Sequence, residues 1–171
     1  VLGVDMSSTG EVGCLGDDFN EALLNALIAT GYKIPQQSVL LSSGATKSKV
    51  DLLDASHMLS KKGYHIYATA GTATFLNSHG IPTTPVFWPD ERPNAENNVM
   101  KMIAEHKFDL IVNIPKNHTK RELTNGYRIR RGAIDHNIPL MTNARLAKAF
   151  IEAFCQMKQE DIQIKSWQEY K

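Results

Sequence analysis

The sequence contains few cysteines and no long apolar segment. Its 2 cysteines, Cys14 and Cys155, lie far apart without CxxC or Cys/His spacing. This pattern fits a reducing compartment and gives no zinc site, so we predict two small, buried hydrophobic side chains. No apolar run approaches the roughly 20 residues of a membrane span, and the first residues lack the regions of a signal peptide. We therefore expect no membrane partner.

The chain also lacks an excess of charge of either sign. Its 19 Lys and Arg residues are matched by 18 Asp and Glu residues, which gives a formal net charge of +1. This balance creates no global field that would gather nucleic acid, so we expect no nucleic-acid partner and only a local anion site. The chain starts at Val1 rather than Met, which favours a piece cut from a larger protein.

Metal-binding and catalytic motifs are missing as well. The six histidines show neither HxxxH nor HExxH spacing, and no GxSxG nucleophile motif is present. We therefore predict no metal site and no catalytic residue in this chain. Most of the histidines are expected at the surface or at helix ends, with His118 in a candidate binding loop.

The sequence does contain a repeated pattern, in which short apolar runs alternate with segments whose apolar residues recur at helical spacing. About five such units are present, and units of this kind build a parallel sheet packed between helices. We predict an α/β fold with three αβα layers around a mainly parallel, Rossmann-like sheet. The predicted strands are 39–42, 64–70, 84–88, 108–114 and 139–142.

Helix positions are predicted from caps and apolar periods. The first helix starts at Asp17 or Asp18 and ends near Thr30, and its core-facing residues are Phe19, Leu23, Ala26 and Leu27. The second predicted helix ends at Gly63, and its core-facing residues are Val50, Leu53, His57 and Met58. Asn94 is the predicted cap of a later helix. Because Pro115 ends the fourth strand, residues 115–126 are predicted as a long surface loop before a helix at 128–136.

Polar and basic residues follow the predicted strands at the point where each strand ends. Ligands of open parallel sheets bind beyond these carboxyl ends, so these residues are candidates for a site. The first three junctions offer Ser43, Thr46, Lys47, Ser48, Lys49, Thr69, Gly71, Thr72 and Trp88. The fourth offers Asn113, Lys116, Asn117, Thr119, Lys120 and Arg121, and the next helix adds Arg130 and Arg131.

Taken singly, each candidate has an ordinary structural role, such as a cap for Thr72 or a core aromatic for Trp88. Their convergence is informative, because donors and cations without a carboxylate favour binding of a phosphate or carboxylate over general base catalysis. Lys49 or Lys47 would hold the anion. Arg130 and Arg131 point about 100° apart on a helix, so only one can face a ligand squarely.

The segment LGVDMSSTGEVGCLG resembles the end of the second ATP-grasp domain of carbamoyl-phosphate synthase large chains. Three further segments resemble the last domain of that family, which has the methylglyoxal-synthase-like fold; they are KGYHIYATAGTATFLNSHGIPTTPV, FDLIVNIPKN and YRIRRGAIDHNIPLMTN. The resemblance implies an ATP-grasp remnant or linker at 1–16, an effector-binding domain at 17–158 and a tail at 159–171.

In that family the domain binds allosteric effectors: UMP, UTP, IMP or, in the animal ammonia-using form, N-acetylglutamate. The resemblance implies anion-holding roles for Lys49, Thr69 and Thr72, with Trp88 and the loop 113–120 completing the pocket. It places catalysis in absent ATP-grasp domains that use ATP with Mg or Mn, and ammonia supply in a glutaminase subunit or domain. This chain would then be a regulatory domain without its own cofactor, in the cytoplasm, or in mitochondria for the ammonia-using form.

Two details of the resemblance favour different effectors. Trp88 before Pro89 is similar to the animal synthetases and would admit acetylglutamate. Lys116 stands where that form has an amide, and its positive charge suits a phosphate better, so a nucleotide is the first expectation. Alternatives are a methylglyoxal-synthase-type lyase, whose GGDP base segment is replaced here by NIPKNHTK, the purine cyclohydrolase that shares the fold, and a purely structural role.

Overall fold

Helices and strands alternate along the chain in the computed structural model, which describes residues 10, 12–115, 119–157, 160, 162 and 165–169. The elements are α1 (Phe19–Ala29), β1 (Ser38–Ser43), α2 (Thr46–Asp51), α3 (Leu53–Lys61), β2 (His65–Thr69), α4 (Ala70–Ser78), β3 (Thr84–Val86), α5 (Val99–Ala104), β4 (Leu110–Ile114), α6 (Lys120–Asp135), β5 (Leu140–Met141) and α7 (Ala144–Gln156). A short 3-10 helix follows at Trp167–Glu169.

The five strands form one sheet in the order β3-β2-β1-β4-β5, and every pair of neighbours is parallel. In the central strand, Leu40 is in register with Tyr67 of β2 and with Ile111 of β4. The prediction of an α/β fold around a parallel sheet is therefore confirmed. Because all the strands run the same way, their carboxyl ends meet at one edge, where ligands of such sheets bind.

Alternation along β1 and β4 gives the sheet an apolar surface on each face. Val39 and Leu41 belong to a core shared with α1, α3, α4 and α7, whereas Leu40 and Ile111 belong to a second core with α5 and α6. Successive side chains of a strand point to opposite faces, so a strand buried on both sides is apolar throughout. The two cores make the molecule a three-layer αβα structure, as predicted.

Helix α1 buries a different face from the predicted one. Asp18 caps it by accepting a hydrogen bond from the Glu21 backbone at 2.9 Å, and Gly31 follows its end at φ +91°. Its fully buried apolar residue is Leu24, at 0% exposure, whereas Phe19 is 68% exposed. Leu27 packs against the core, as predicted, but the prediction that Phe19 faces the core is wrong, because the buried face of the helix contains Glu21 and Leu24.

The second predicted helix is two shorter ones, α2 and α3. Leu52, at the junction, is only 2% exposed, while Val50 is 55% exposed. Helix α2 ends at Asp51 and α3 begins at Leu53, so the predicted apolar stripe does not continue through Val50. The predicted stop is confirmed, since Gly63 lies just beyond α3 with φ +84°.

The long helix α6 corrects the prediction of a surface loop over 115–126 for residues 120–126; residues 116–118 lie outside the described residues. It starts at Lys120, and the Thr119 hydroxyl caps it by accepting from the Glu122 backbone at 3.4 Å. Thr119 and Glu122 have the T-x-x-E spacing of a capping box, which marks a helix start in the sequence. Gly126 was expected to end the loop but lies inside the helix.

Cys155 is buried, as predicted, and burial raises the pKa of its thiol to about 11. Cys14 is only partly buried, and neither cysteine forms a disulfide. Among the residues that the structure describes, no group of three or more His, Cys, Asp or Glu side chains could hold a metal ion. None of the described helices is long and apolar enough to cross a membrane.

Candidate anion-binding pocket at the strand ends

A pocket of about 260 Å³ lies at the carboxyl ends of β1 and β2. Segments that are distant in sequence meet there because the parallel strands end side by side. Its lining residues are Ser42, Ser43, Gly44, Lys49, Thr69, Ala70, Gly71, Thr72, Trp88, Glu91, Arg121 and Glu122. The floor is formed by the strand ends, and the start of α6 together with the loop after β3 forms one wall.

The N-terminus of α4 opens into this pocket. Thr69 occupies the cap position, but its side chain makes no capping hydrogen bond and donates to the Ser42 hydroxyl instead, at 3.4 Å. The first backbone N–H groups of a helix have no partner within the helix, and they carry a partial positive charge from the helix dipole. The uncapped amides at Gly71 and Thr72 are therefore suited to an anion.

The Ser43 hydroxyl is a second feature of the pocket suited to binding a ligand. Ser43 is only 3% exposed, and its Oγ has no hydrogen-bond partner in the described part of the chain. An unsatisfied buried polar group costs about 1–3 kcal/mol, which a ligand in the pocket would recover. The backbone of Ser43 is fixed, because Thr72 Oγ1 accepts from its N–H at 3.1 Å and donates to its carbonyl at 2.9 Å.

Lys49 brings a positive charge to the same pocket. Its Nζ donates to the Gly71 carbonyl at 3.0 Å, directly beside the start of α4. No carboxylate of the described residues lies within salt-bridge distance of this amine. Its charge is therefore available to a bound anion.

The opposite wall contains a network around Trp88. Arg121 binds Asp90 at 2.7 Å and Glu91 at 3.0 Å, and its guanidinium lies 5.4 Å from the centre of the Trp88 ring. The hydrogen bond from Arg121 lowers the pKa of the Asp90 carboxyl below its usual value. Glu91 also accepts from the Trp88 backbone at 3.1 Å. Arg121 thus connects α6 to the loop after β3 and packs over the Trp88 ring at the edge of the pocket.

Asn98 holds the loop after β3 in shape. It also caps the next helix, α5, whereas Asn94 was the predicted cap. The side chain of Asn98 accepts from the Met100 backbone at 2.9 Å and donates to the carbonyls of Trp88 and Glu91 at 3.0 and 2.7 Å. Asn98 is 2% exposed, so these bonds are shielded from water. They hold Trp88 and Glu91 against the mouth of the pocket.

Half of the predicted site residues line this pocket: Lys49, Thr69, Gly71, Thr72 and Trp88. Asn113 lies beneath it at 3% exposure and donates to Ser42 at 3.2 Å. Thr119 caps α6, and Lys120 lines a neighbouring depression with Asp90, Arg121 and Arg128. Lys116 and Asn117 lie outside the described residues, as does His118.

The sequence interpretation missed five lining residues: Ser42, Gly44, Ala70, Glu91 and Glu122. The two carboxylates correct the expectation that only donors and cations surround the site. Ser42 follows directly from its strand position, because it precedes Ser43 at the end of β1. No local sequence pattern predicts that Glu91 lies at the pocket, since its position depends on the tertiary contacts of Asn98.

The two adjacent arginines make different contacts, and neither lines the pocket. Arg130 is partly buried and donates to Asn113 at 2.7 Å, whereas Arg131 is exposed and pairs with Asp135 at 2.8 Å on the same helix. Only the first therefore contacts the residues beneath the pocket.

Comparison with known proteins identifies matches over most of this chain. The family model described as MGS-like domain matches residues 51–142. The multifunctional protein pyr1-3 of Dictyostelium discoideum is 43% identical over 162 residues, and the multifunctional protein CAD of Squalus acanthias is 41% identical over 165 residues. The mitochondrial carbamoyl-phosphate synthase [ammonia] of Homo sapiens is 37% identical over 164 residues.

These matches cover 92%, 90% and 94% of this chain, respectively. The chain in turn spans only 7%, 7% and 11% of the length of those relatives. The similarity therefore concerns one domain of much larger proteins.

Proposed function

Because this chain belongs to the MGS-like domain family, we propose that it is the allosteric effector-binding domain of a carbamoyl-phosphate synthase large chain. The proposed effector is a nucleotide such as UMP, UTP or IMP, with its phosphate in the pocket at the strand ends. The observation that carries the proposal is the unsatisfied Ser43 hydroxyl, buried beside the uncapped start of α4 and the free charge of Lys49.

The donors of the pocket match the acceptors of a phosphate group. A phosphate presents several acceptor oxygens and negative charge, and helix N-termini with a nearby cation bind it through charge-assisted hydrogen bonds. Ser43, the first amides of α4 and Lys49 supply this combination from three segments of the chain. Trp88 offers a flat aromatic surface at the same pocket, on which a nucleobase can stack.

In this proposal catalysis takes place in other domains of the parent protein. The parent would make carbamoyl phosphate from bicarbonate, ammonia and ATP with Mg or Mn, with ammonia delivered by a glutaminase. This domain would bind no cofactor of its own and would contact the catalytic domains of the same large chain. The proposed location is the cytoplasm.

N-acetylglutamate is the alternative effector, with a mitochondrial location. It is supported by the human mitochondrial relative and by Trp88 at the pocket. Against it, the Asn113 amide is engaged on both sides, by Ser42 and by Arg130, and so it does not face the pocket as a partner for an acetamido group.

The proposal predicts that nucleotides stabilise the folded chain. A ligand that binds only the folded form at 100 times its Kd adds about 2.7 kcal/mol, which raises the Tm of a chain of this size by roughly 5–10 °C. A thermal-shift panel of UMP, UTP, IMP, orthophosphate and N-acetylglutamate measures this effect. A larger shift with N-acetylglutamate than with any nucleotide would select the alternative effector. No shift with any of them would contradict the binding role and favour a structural one.

A methylglyoxal-synthase-type lyase is the second candidate, because Glu91 and Glu122 line the pocket. A general base needs a carboxylate oxygen that is free to take a proton. Both oxygens of Glu91 are engaged, one by Arg121 and the other by the Trp88 N–H. Glu91 is therefore poorly placed to act as the base, and we expect dihydroxyacetone phosphate to yield methylglyoxal only at the background rate. Formation above background that is lost in Glu91→Gln or in Glu122→Gln would establish the lyase instead.

A further inference from the structure

Arg130 is a partly buried cation beneath the pocket. Its Nη1 donates to Asn113 Oδ1 at 2.7 Å, and no carboxylate lies within 4.0 Å of its nitrogen atoms in the part of the chain that the structure describes. Charges that leave water are normally paired with an opposite charge. A guanidinium held here by a neutral amide therefore requires an explanation.

Gly126 leaves room for the contact between Arg130 and Asn113. A Cβ at Gly126 would lie 2.8 Å from Arg130 Nη1 and 3.5 Å from Asn113 Oδ1, although the residue is in the interior of a 16-residue helix. Glycine destabilises a helix interior relative to alanine, and φ at this position is not positive. The space that glycine leaves is the space through which Arg130 reaches Asn113.

The direction of the hydrogen bonds follows from the chemistry of the guanidinium. Arginine donates only, so Asn113 must turn its Oδ1 toward Arg130 and its Nδ2 toward Ser42, to which it donates at 3.2 Å. Thr69 donates to the same Ser42 oxygen at 3.4 Å. A hydroxyl has two acceptor lone pairs and one proton, so Ser42 keeps its proton for a group in the pocket that it lines.

We propose that Arg130 is a positioning residue that fixes the direction of two consecutive hydrogen bonds, from Arg130 to Asn113 and from Asn113 to Ser42. The Ser42 hydroxyl on the pocket floor then donates its proton to a bound oxyanion. This inference rests on the proposed function. It explains why the pocket would favour ligands that carry hydrogen-bond acceptors. Arg130 does not line the pocket and acts through Asn113 and Ser42.

Asn113→Asp separates this role from a structural one. The new carboxylate gives Arg130 an ionic partner, so stability against urea is expected to be equal or higher. It cannot donate to Ser42, which then turns its proton toward the carboxylate and away from the pocket. The Kd for orthophosphate, measured by calorimetric titration, is expected to rise at least tenfold. Wild-type affinity in this variant, or a loss of affinity with a parallel loss of stability, would overturn the proposal.

Substitutions of Arg130 test the direction of these two hydrogen bonds without adding negative charge. Arg130→Gln can accept as well as donate, so Asn113 is free to reverse, and we expect phosphate affinity to fall about tenfold. Arg130→Lys remains a cation that only donates and is expected to retain most of the affinity. The matched control is Arg131→Gln, an exposed neighbour paired with Asp135, which is expected to change nothing. Equal losses in the Gln and Lys variants of Arg130 would contradict the inference.

A double-mutant cycle with Ser42→Ala decides whether Arg130 acts through Ser42. In that background Arg130→Gln should cause little further loss of orthophosphate affinity, because coupled residues are not additive. Independent, additive losses would overturn the inference while leaving the proposed function intact. A wild-type chain that binds neither orthophosphate nor any nucleotide would refute the proposed function itself, and the inference with it.

Discussion

Lys49→Ala is expected to weaken phosphate or UMP binding by roughly 10- to 100-fold, because a hydrogen bond to a charged group contributes about 1.5–3 kcal/mol. Its amine contacts the Gly71 carbonyl at the start of α4, where the proposed phosphate lies. The free energy of unfolding should fall by no more than about 1 kcal/mol, since alanine is a good helix former and only the exposed hydrogen bond to Gly71 is lost. Calorimetric titration and urea unfolding measure the two quantities.

Lys47→Ala is the matched control for this prediction. Lys47 lies on the same short helix α2 and carries the same charge, but it is exposed and does not line the pocket. The sequence alone offered either lysine as the anion-holding residue, and the structure favours Lys49. Equal losses in both variants would indicate a diffuse effect of charge, and unchanged binding in Lys49→Ala would remove Lys49 from the site.

Much of the candidate site was predictable because parallel strands impose a common edge. Once the strand ends near Ser43, Thr69 and Asn113 are located, the topology alone brings them together. The periodicity of the apolar runs was enough for that step, since it depends on which residues end a strand and not on their neighbours in space.

The rest of the site was missed for two different reasons. Glu91 reaches the pocket because buried Asn98 donates to two carbonyls of the loop after β3, a tertiary contact that no local pattern encodes. The start of α6, by contrast, carries a local helix-start signal in Thr119 and Glu122. It was missed because Gly126 was interpreted as a loop residue.

The buried face of α1 provides the second large expected effect. Leu24 is fully buried in the core that contains Phe150 of α7, and Leu24→Ala removes methyl groups that the surrounding side chains cannot replace. Such substitutions cost about 2–5 kcal/mol, so we expect a loss of that size in the free energy of unfolding. Urea unfolding followed by circular dichroism measures it, and the slope with urea should stay unchanged if unfolding remains two-state.

Phe19→Ala, on the same helix, is the control that separates the structure from the sequence pattern. The pattern predicted Phe19 in the core, but the residue is 68% exposed, and surface substitutions usually change stability by less than about 0.5 kcal/mol. The expected order is therefore a large loss for Leu24→Ala and almost none for Phe19→Ala. A reversed order would mean that α1 is rotated about its axis relative to the structure, so that the face carrying Phe19 packs on α7.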